Sequence, residues 1–153
     1  MARNREYVAK VAEAVCAAFK AGNRGTITFN HVPFELTDIA RCSEFVRECC
    51  QAAENYNRVA PPLPYFGGTA RETEHLLRKA GKRVKVPARG DIVTFNAGAA
   101  GKWGHIGLYL GGDRFAENTS STTRGPGFVV SKLSAMKGRV SGFYRLFPSE
   151  TEA

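Results

Sequence analysis

Near residue 90 the periodicity of this chain changes, and that change limits what it can fold into. Before it, apolar residues recur every three or four positions. After it, short runs of β-branched and aromatic residues alternate with glycine-rich turns. Val8, Val11, Val15, Ala18 and Phe19 mark a helix over 5–21, stopped by Gly22. Ile39, Cys42, Val46, Cys49 and Ala53 mark a second over 38–54, with Thr37 or Asp38 placed to cap it. A third covers 70–80 and ends at Gly81. Residues 23–36 read as a loop with a short extended piece, and "APPLPYFGG" (60–68) as a rigid loop. Strands follow at 90–96, 105–110, 113–118, 128–133 and 138–147, then a frayed tail over the last six residues. Helices first and strands afterwards predict an α+β fold, with the helices packed on a curled antiparallel meander of about five strands.

A chain of 153 residues is long enough to bury a real core as a single domain spanning 1–153. It holds no apolar run near the ~20 residues needed to cross a bilayer. The first apolar segment, "YVAKVAEAVCAAF", is broken by Lys10 and Glu13, so it does not read as a signal peptide. The expected place of synthesis is the cytoplasm.

The net charge of +8 favours polyanionic surroundings: nucleic acid, anionic lipid or acidic wall polymers. Seven of the basic residues fall between Arg71 and Arg89. That run reads equally well as a solvated helix face and loop or as a binding patch. It contains no aromatic residue, which argues against single-stranded nucleic acid as its partner. The four cysteines (Cys16, Cys42, Cys49 and Cys50) form no C-x-x-C pair and have no nearby histidine, so a zinc site is not expected. With no export signal, a disulfide framework is not expected either.

Cys42 and His105 can do chemistry together. A thiol near a helix N-terminus sits in the positive end of the dipole, which favours thiolate. A histidine at the start of a neighbouring strand can exchange protons with it near neutrality. The turn at Gly111-Gly112-Asp113 folds the chain back, setting His105 opposite residue 118, 119 or 120. Glu117 or Asn118 is then a direct or diagonal neighbour, able to orient the imidazole. The same residues also admit bland roles: Cys42 as core filler, His105 as a strand-edge residue, Glu117 and Asn118 as turn residues. His31 and His75 suggest no chemistry.

Three segments resemble the papain-like cysteine hydrolases of bacterial cell walls, the NlpC-type peptidases and the CHAP-type amidases and peptidases. "RCSEFVREC" (41–49) resembles their nucleophile helix, "RGDIVTF" (89–95) the Gly-Asp strand before the histidine, and "GHIGLYLGGDRFAEN" (104–118) the histidine hairpin. The resemblance implies Cys42 as nucleophile and His105 as base. The third residue is implied to be Glu117, where NlpC-type members often have histidine and CHAP-type members a glutamate, with Asn118 as the alternative. Arg41 and Glu44 depart from the aspartate and glycine usual around the NlpC-type nucleophile. The backbone N–H of Cys42 is one implied oxyanion donor.

The implied activity is thiol-dependent cleavage of an amide in a peptidoglycan stem peptide or cross-bridge, by a monomer, with no metal or cofactor. The stretch "AENTSS" resembles phage-associated lysins. Release through a pore, injection, or carriage on a virion would then bring the protein to the wall. The competing readings are an acyltransferase or lipid-directed hydrolase on the same fold, or a non-catalytic basic wall-binding or phage structural module.

Overall fold

The computed structural model describes residues 4–96 and 104–149. Three helices, α1 (Arg5–Lys20), α2 (Cys42–Glu54) and α3 (Ala70–Lys79), lie within the spans their apolar periodicity marks. Asn4 caps α1 by accepting from the Tyr7 N–H, and Thr69 caps α3 through the Glu72 N–H. The second helix departs from the expected boundary. It begins at Cys42, four residues late, and Arg41 supplies no side-chain cap. The cause is Ala40, whose backbone is left-handed (φ 72°), a conformation that no helix can incorporate. Thr37 and Asp38 therefore precede a turn and cap nothing, and Ile39 is exposed.

The strands are β1 (Thr26–Phe29), β2 (Val32–Glu35), β3 (Arg83–Val84), β4 (Ile92–Phe95), β5 (His105–Gly111), β6 (Arg114–Thr119), β7 (Gly127–Lys132) and β8 (Val140–Tyr144). The fold is α+β with antiparallel sheets, but two details correct the expectation. Residues read as a loop form the hairpin β1–β2, turned through left-handed Asn30 and His31. The main sheet has six strands in the order β3-β8-β4-β5-β6-β7, so it is not a simple meander. A short 3-10 turn at Leu133–Met136 redirects the chain, and β8 crosses back to pair with β4 instead of β7.

This topology buries both faces of the sheet. On one, α1 and α2 pack Val8, Val15, Phe45, Val46 and Cys49 against Ile92, Ile106, Leu108 and Phe128. On the other, Val93, Phe95, Phe115 and Met136 form a smaller cluster. Burying each such side chain contributes roughly 1.5–3 kcal/mol. The alternation Ile92, Val93 and Phe95 along β4 serves both faces in turn.

Polar ties set the helices on this sheet. Arg89 donates to Glu6, Glu13 and the Leu110 carbonyl. This member of the basic run is therefore an internal clamp between α1 and β5. Asp91, fully buried, takes two hydrogen bonds from Arg145 and one from the Ala88 N–H. Beside it Gly90 (φ 94°) has no room for a side chain, because a Cβ would lie 2.0 Å from the Arg5 carbonyl oxygen. The expected frayed tail begins with an anchor instead, since the Pro148 carbonyl accepts from the Arg5 N–H. Residues 150–153 lie outside the described residues.

Candidate active site

The four cysteines are free, and Cys42 alone is not buried. Burial pushes the Cys16 thiol up to about 12, and it pushes Cys49 and Cys50 well up as well. Those three are core residues held as neutral thiols. Cys42 occupies the first position of α2, on the face that continues through Phe45, Val46 and Cys49 into the core. The late start of the helix puts the thiol at its N-terminus, and first-turn residues line an open cleft of about 330 Å³. Arg41, Ser43, Glu44, Gly68, Ala70 and Gly104 share its walls. Ser43 fixes the opposite wall by bonding the Gly67 carbonyl and the Thr73 hydroxyl.

His105 opens β5. The register Leu108↔Ala116 and Tyr109↔Phe115, carried along the pair, sets His105 opposite Thr119 and makes Glu117 its diagonal neighbour. The imidazole Nε2 meets the Glu117 Oε1 at 2.6 Å. Cys42 also supports the charge of the ring, and Nδ1 is the nitrogen left for the thiol. Phe95 lies against the ring with centroids 5.7 Å apart. Gly107, between the two residues in the hairpin, has no space for a Cβ, which would lie 2.6 Å from the Ala116 carbonyl oxygen. Glycine thus lets β5 and β6 approach closely enough for the diagonal contact.

Burial disfavours a charged His105. The hydrogen bonds and charges of Cys42 and Glu117 outweigh that penalty and raise its pKa to about 8. Glu117 is completely buried. Burial would raise its pKa, but hydrogen bonds from His105, Arg124 and Ser131 prevail and lower it to about 2. The carboxylate is therefore ionised, and its charge holds the imidazolium.

A raised histidine pKa has a definite consequence for stability. His105 contributes stability fully below pH 6.5, its ordinary value, and loses that contribution as pH rises through about 8. Urea midpoints measured between pH 6 and 9 are expected to fall across this window. The fall should be smaller in Cys42→Ala, which removes one of the two stabilising partners. An identical profile in both proteins would contradict the Cys42–His105 contact.

Sequence reasoning missed Arg124 and Ser131. Arg124 grips Glu117 with two hydrogen bonds, Nε to Oε2 at 2.8 Å and Nη2 to Oε1 at 2.9 Å. Ser131 donates its hydroxyl to Oε2. Arg124 sits in the β6–β7 turn, where no periodicity announces the direction of a side chain. Ser131 could have been found, because β7 pairs it with Phe115, diagonal to Glu117.

Asn118 does not orient the imidazole. Adjacent strand residues point to opposite faces, and Asn118 turns to the loop before α2. Its Oδ1 accepts from the Ala40 N–H at 3.0 Å and its Nδ2 donates to the Asp38 carbonyl at 2.7 Å. It clasps the left-handed residue that sets where α2 begins. Asn118→Ala is expected to lose about 1–3 kcal/mol in urea unfolding, as two backbone groups lose their partner. It should also slow alkylation of Cys42 by iodoacetamide.

A partly buried, charge-supported histidine beside the one accessible thiol, on an α+β fold, defines the papain-like cysteine class. A family model described as the NlpC/P60 family matches residues 35–137, and the chain belongs to that family. The match covers α2, the histidine hairpin and the β6–β7 turn that carries Arg124. Among solved structures, NlpC2 from Trichomonas vaginalis is similar at 22% identity and a TM-score of 0.48, covering 90% of this chain and 45% of that one. The chain thus spans under half the length of that protein. No curated protein matches. Among the described residues no group of three or more His, Cys, Asp and Glu is placed to hold a metal, and no helix is long and apolar enough to cross a membrane.

Proposed function

We propose that this chain is a cysteine-dependent peptidoglycan hydrolase that cleaves an amide bond in a stem peptide or cross-bridge. The observation that carries the reading is the Cys42–His105–Glu117 relay at the mouth of the cleft. Membership of a family of cysteine peptidases and hydrolases of the cell-wall type supports it, and so does a net charge of +8 toward an anionic wall.

The Cys42 sulfur attacks the amide carbonyl and forms a C–S bond, and the carbonyl oxygen becomes an oxyanion facing the Cys42 N–H. His105 gives its proton to the amide nitrogen, the C–N bond breaks, and the amine leaves. A water enters, His105 takes one of its protons, and the hydroxide attacks the thioester. The acid product leaves and the sulfur recovers its starting state. Glu117 stays ionised throughout and keeps the imidazole in one orientation. The monomer carries every group in this sequence. The substrate is met outside the cytoplasm, after release or delivery of the protein.

The test is digestion of purified peptidoglycan of several chemotypes, with the soluble products identified by mass spectrometry. The untreated protein should release fragments whose masses name the bond cut, and the iodoacetamide-treated protein should release none. No release from any wall by the untreated protein would sink the reading.

A further inference from the structure

The shortness of β3 leaves a groove at the edge of the main sheet. Its two residues pair only with Tyr144 and Phe143. Among the described residues, Val140, Ser141 and Gly142 of β8 therefore have no strand beyond them on that side. A longer β3 would set Lys85 opposite Gly142 and Val86 opposite Ser141. The strand ends at Val84 instead. Pro87 has no N–H to give to a ladder, and the Val86 carbonyl accepts from Arg145. The space this opens encloses about 610 Å³. Val84, Val140 and the part-buried Phe143 give it an apolar floor, and Arg83 and Lys85 give it charge.

No carboxylate lines this groove. Arg83 gives one hydrogen bond from Nη2 to the Ser141 carbonyl, a neutral acceptor that leaves the guanidinium charge uncancelled. Lys85 is exposed. The carboxylate reached through Ser141 is Glu74, which lines the neighbouring cavity between α3 and Phe95. Its Oε2 already accepts from Thr94, Ser141, Tyr144 and Arg78. Charge and a proline are enough to protect a sheet edge from stray pairing. A concave apolar floor adds nothing to that protection, so it points to an occupant.

The groove also runs on into the proposed active site. Ser141 lines both the groove and the cavity between α3 and Phe95, and Gly104 lines both that cavity and the cleft at Cys42. Phe95 pairs with His105 on one side and with Val140 on the other, so the groove begins two strand spacings, roughly 10 Å, from the proposed base. Resting on the hydrolase reading, we propose that this groove docks an acidic polysaccharide of the wall. Arg83 and Lys85 meet its acid groups, and Phe143 with the two valines takes the apolar faces of its sugar rings. A concave floor fits a chain, whereas a lipid surface is flat. Docking here holds the cleft at Cys42 against the wall.

The experiment measures binding to Cys42→Ala protein by fluorescence anisotropy, so that no turnover intervenes. The probes are a labelled oligogalacturonate, a neutral dextran oligosaccharide, poly(glycerol phosphate) and phosphatidylglycerol vesicles. Oligogalacturonate is expected to bind tightest, and its affinity should fall as salt is raised. Arg83→Gln/Lys85→Gln, in the same background, should weaken it on the order of tenfold. Both positions are exposed, so a thermal melt should show this variant folded. Lys20→Gln/Lys132→Gln removes the same charge from α1 and from β7, at the opposite edge of the sheet, and should leave the affinity unchanged. No binding of oligogalacturonate, or an equal loss in the two double variants, would overturn the groove. Tighter binding of poly(glycerol phosphate), which has charge but no sugar rings, or of the vesicles would overturn its occupant. Failure of the hydrolase reading looks different: unmodified protein releases nothing from walls while Cys42→Ala still binds oligogalacturonate through Arg83 and Lys85.

Discussion

Cys42→Ala is expected to reduce fragment release from peptidoglycan by on the order of 10⁴-fold or more, to the background of the assay. The other three thiols cannot substitute. Cys16, Cys49 and Cys50 are buried, and burial keeps them protonated. The loss should be chemical and not a failure to fold. Cys42 is partly exposed and makes no cap for α2, so truncating it removes little packing. The urea midpoint at pH 9, above the window in which the His105 contact contributes, should stay within about 1 kcal/mol of wild type. His105→Ala should lose activity to a similar degree, and the double variant should be little worse than either alone, because residues that act as one unit are not additive. Substantial release by Cys42→Ala would make Cys42 a packing residue and move the nucleophile elsewhere.

The parts of this site that the sequence makes legible follow from period. Helical spacing puts Cys42 on the same face as Val46 and Cys49, and strand alternation with a tight turn puts Glu117 diagonal to His105. What stayed hidden depends on backbone conformation that no period encodes. The left-handed turn at Ala40 moves the start of α2 from 38 to 42, and that shift is what gives the thiol its place at the helix end. Left-handed Asn30 and His31 likewise convert an expected loop into a hairpin. The crossing of β8 to lie between β3 and β4 is a long-range choice. Its residues read as a strand, but nothing local says which edge they join. Of the basic run, Arg89 is an internal clamp, and Arg71 and Arg78 face a cavity. Composition alone could not sort these roles.

Arg124→Ala is expected to destabilise the protein by about 3–5 kcal/mol, the usual cost of removing one partner from a buried ion pair. Glu117 has no solvent exposure, and Arg124 supplies two of its four side-chain hydrogen bonds. Without the guanidinium, the carboxylate pKa climbs from its depressed value. Its stabilising contribution is present above pH 4.5 and lost as pH falls toward about 2 in the wild type; in the variant the contribution should be smaller and its loss complete at higher pH. A Glu117 no longer gripped by Arg124 holds its charge less well against the imidazole, so kcat/KM at neutral pH should fall. Two further variants separate charge from packing. Arg124→Lys restores the charge without the two-pronged grip, and should recover part of both stability and rate. Glu117→Gln/Arg124→Ala removes both charges, and should be more stable than Arg124→Ala yet no more active, because a neutral amide can hold the ring without stabilising its charge. Urea midpoints and kcat/KM for the four proteins decide the matter. If Arg124→Ala unfolds within about 1 kcal/mol of wild type, water screens the pair, and the β6–β7 turn plays no part in setting the charge on His105.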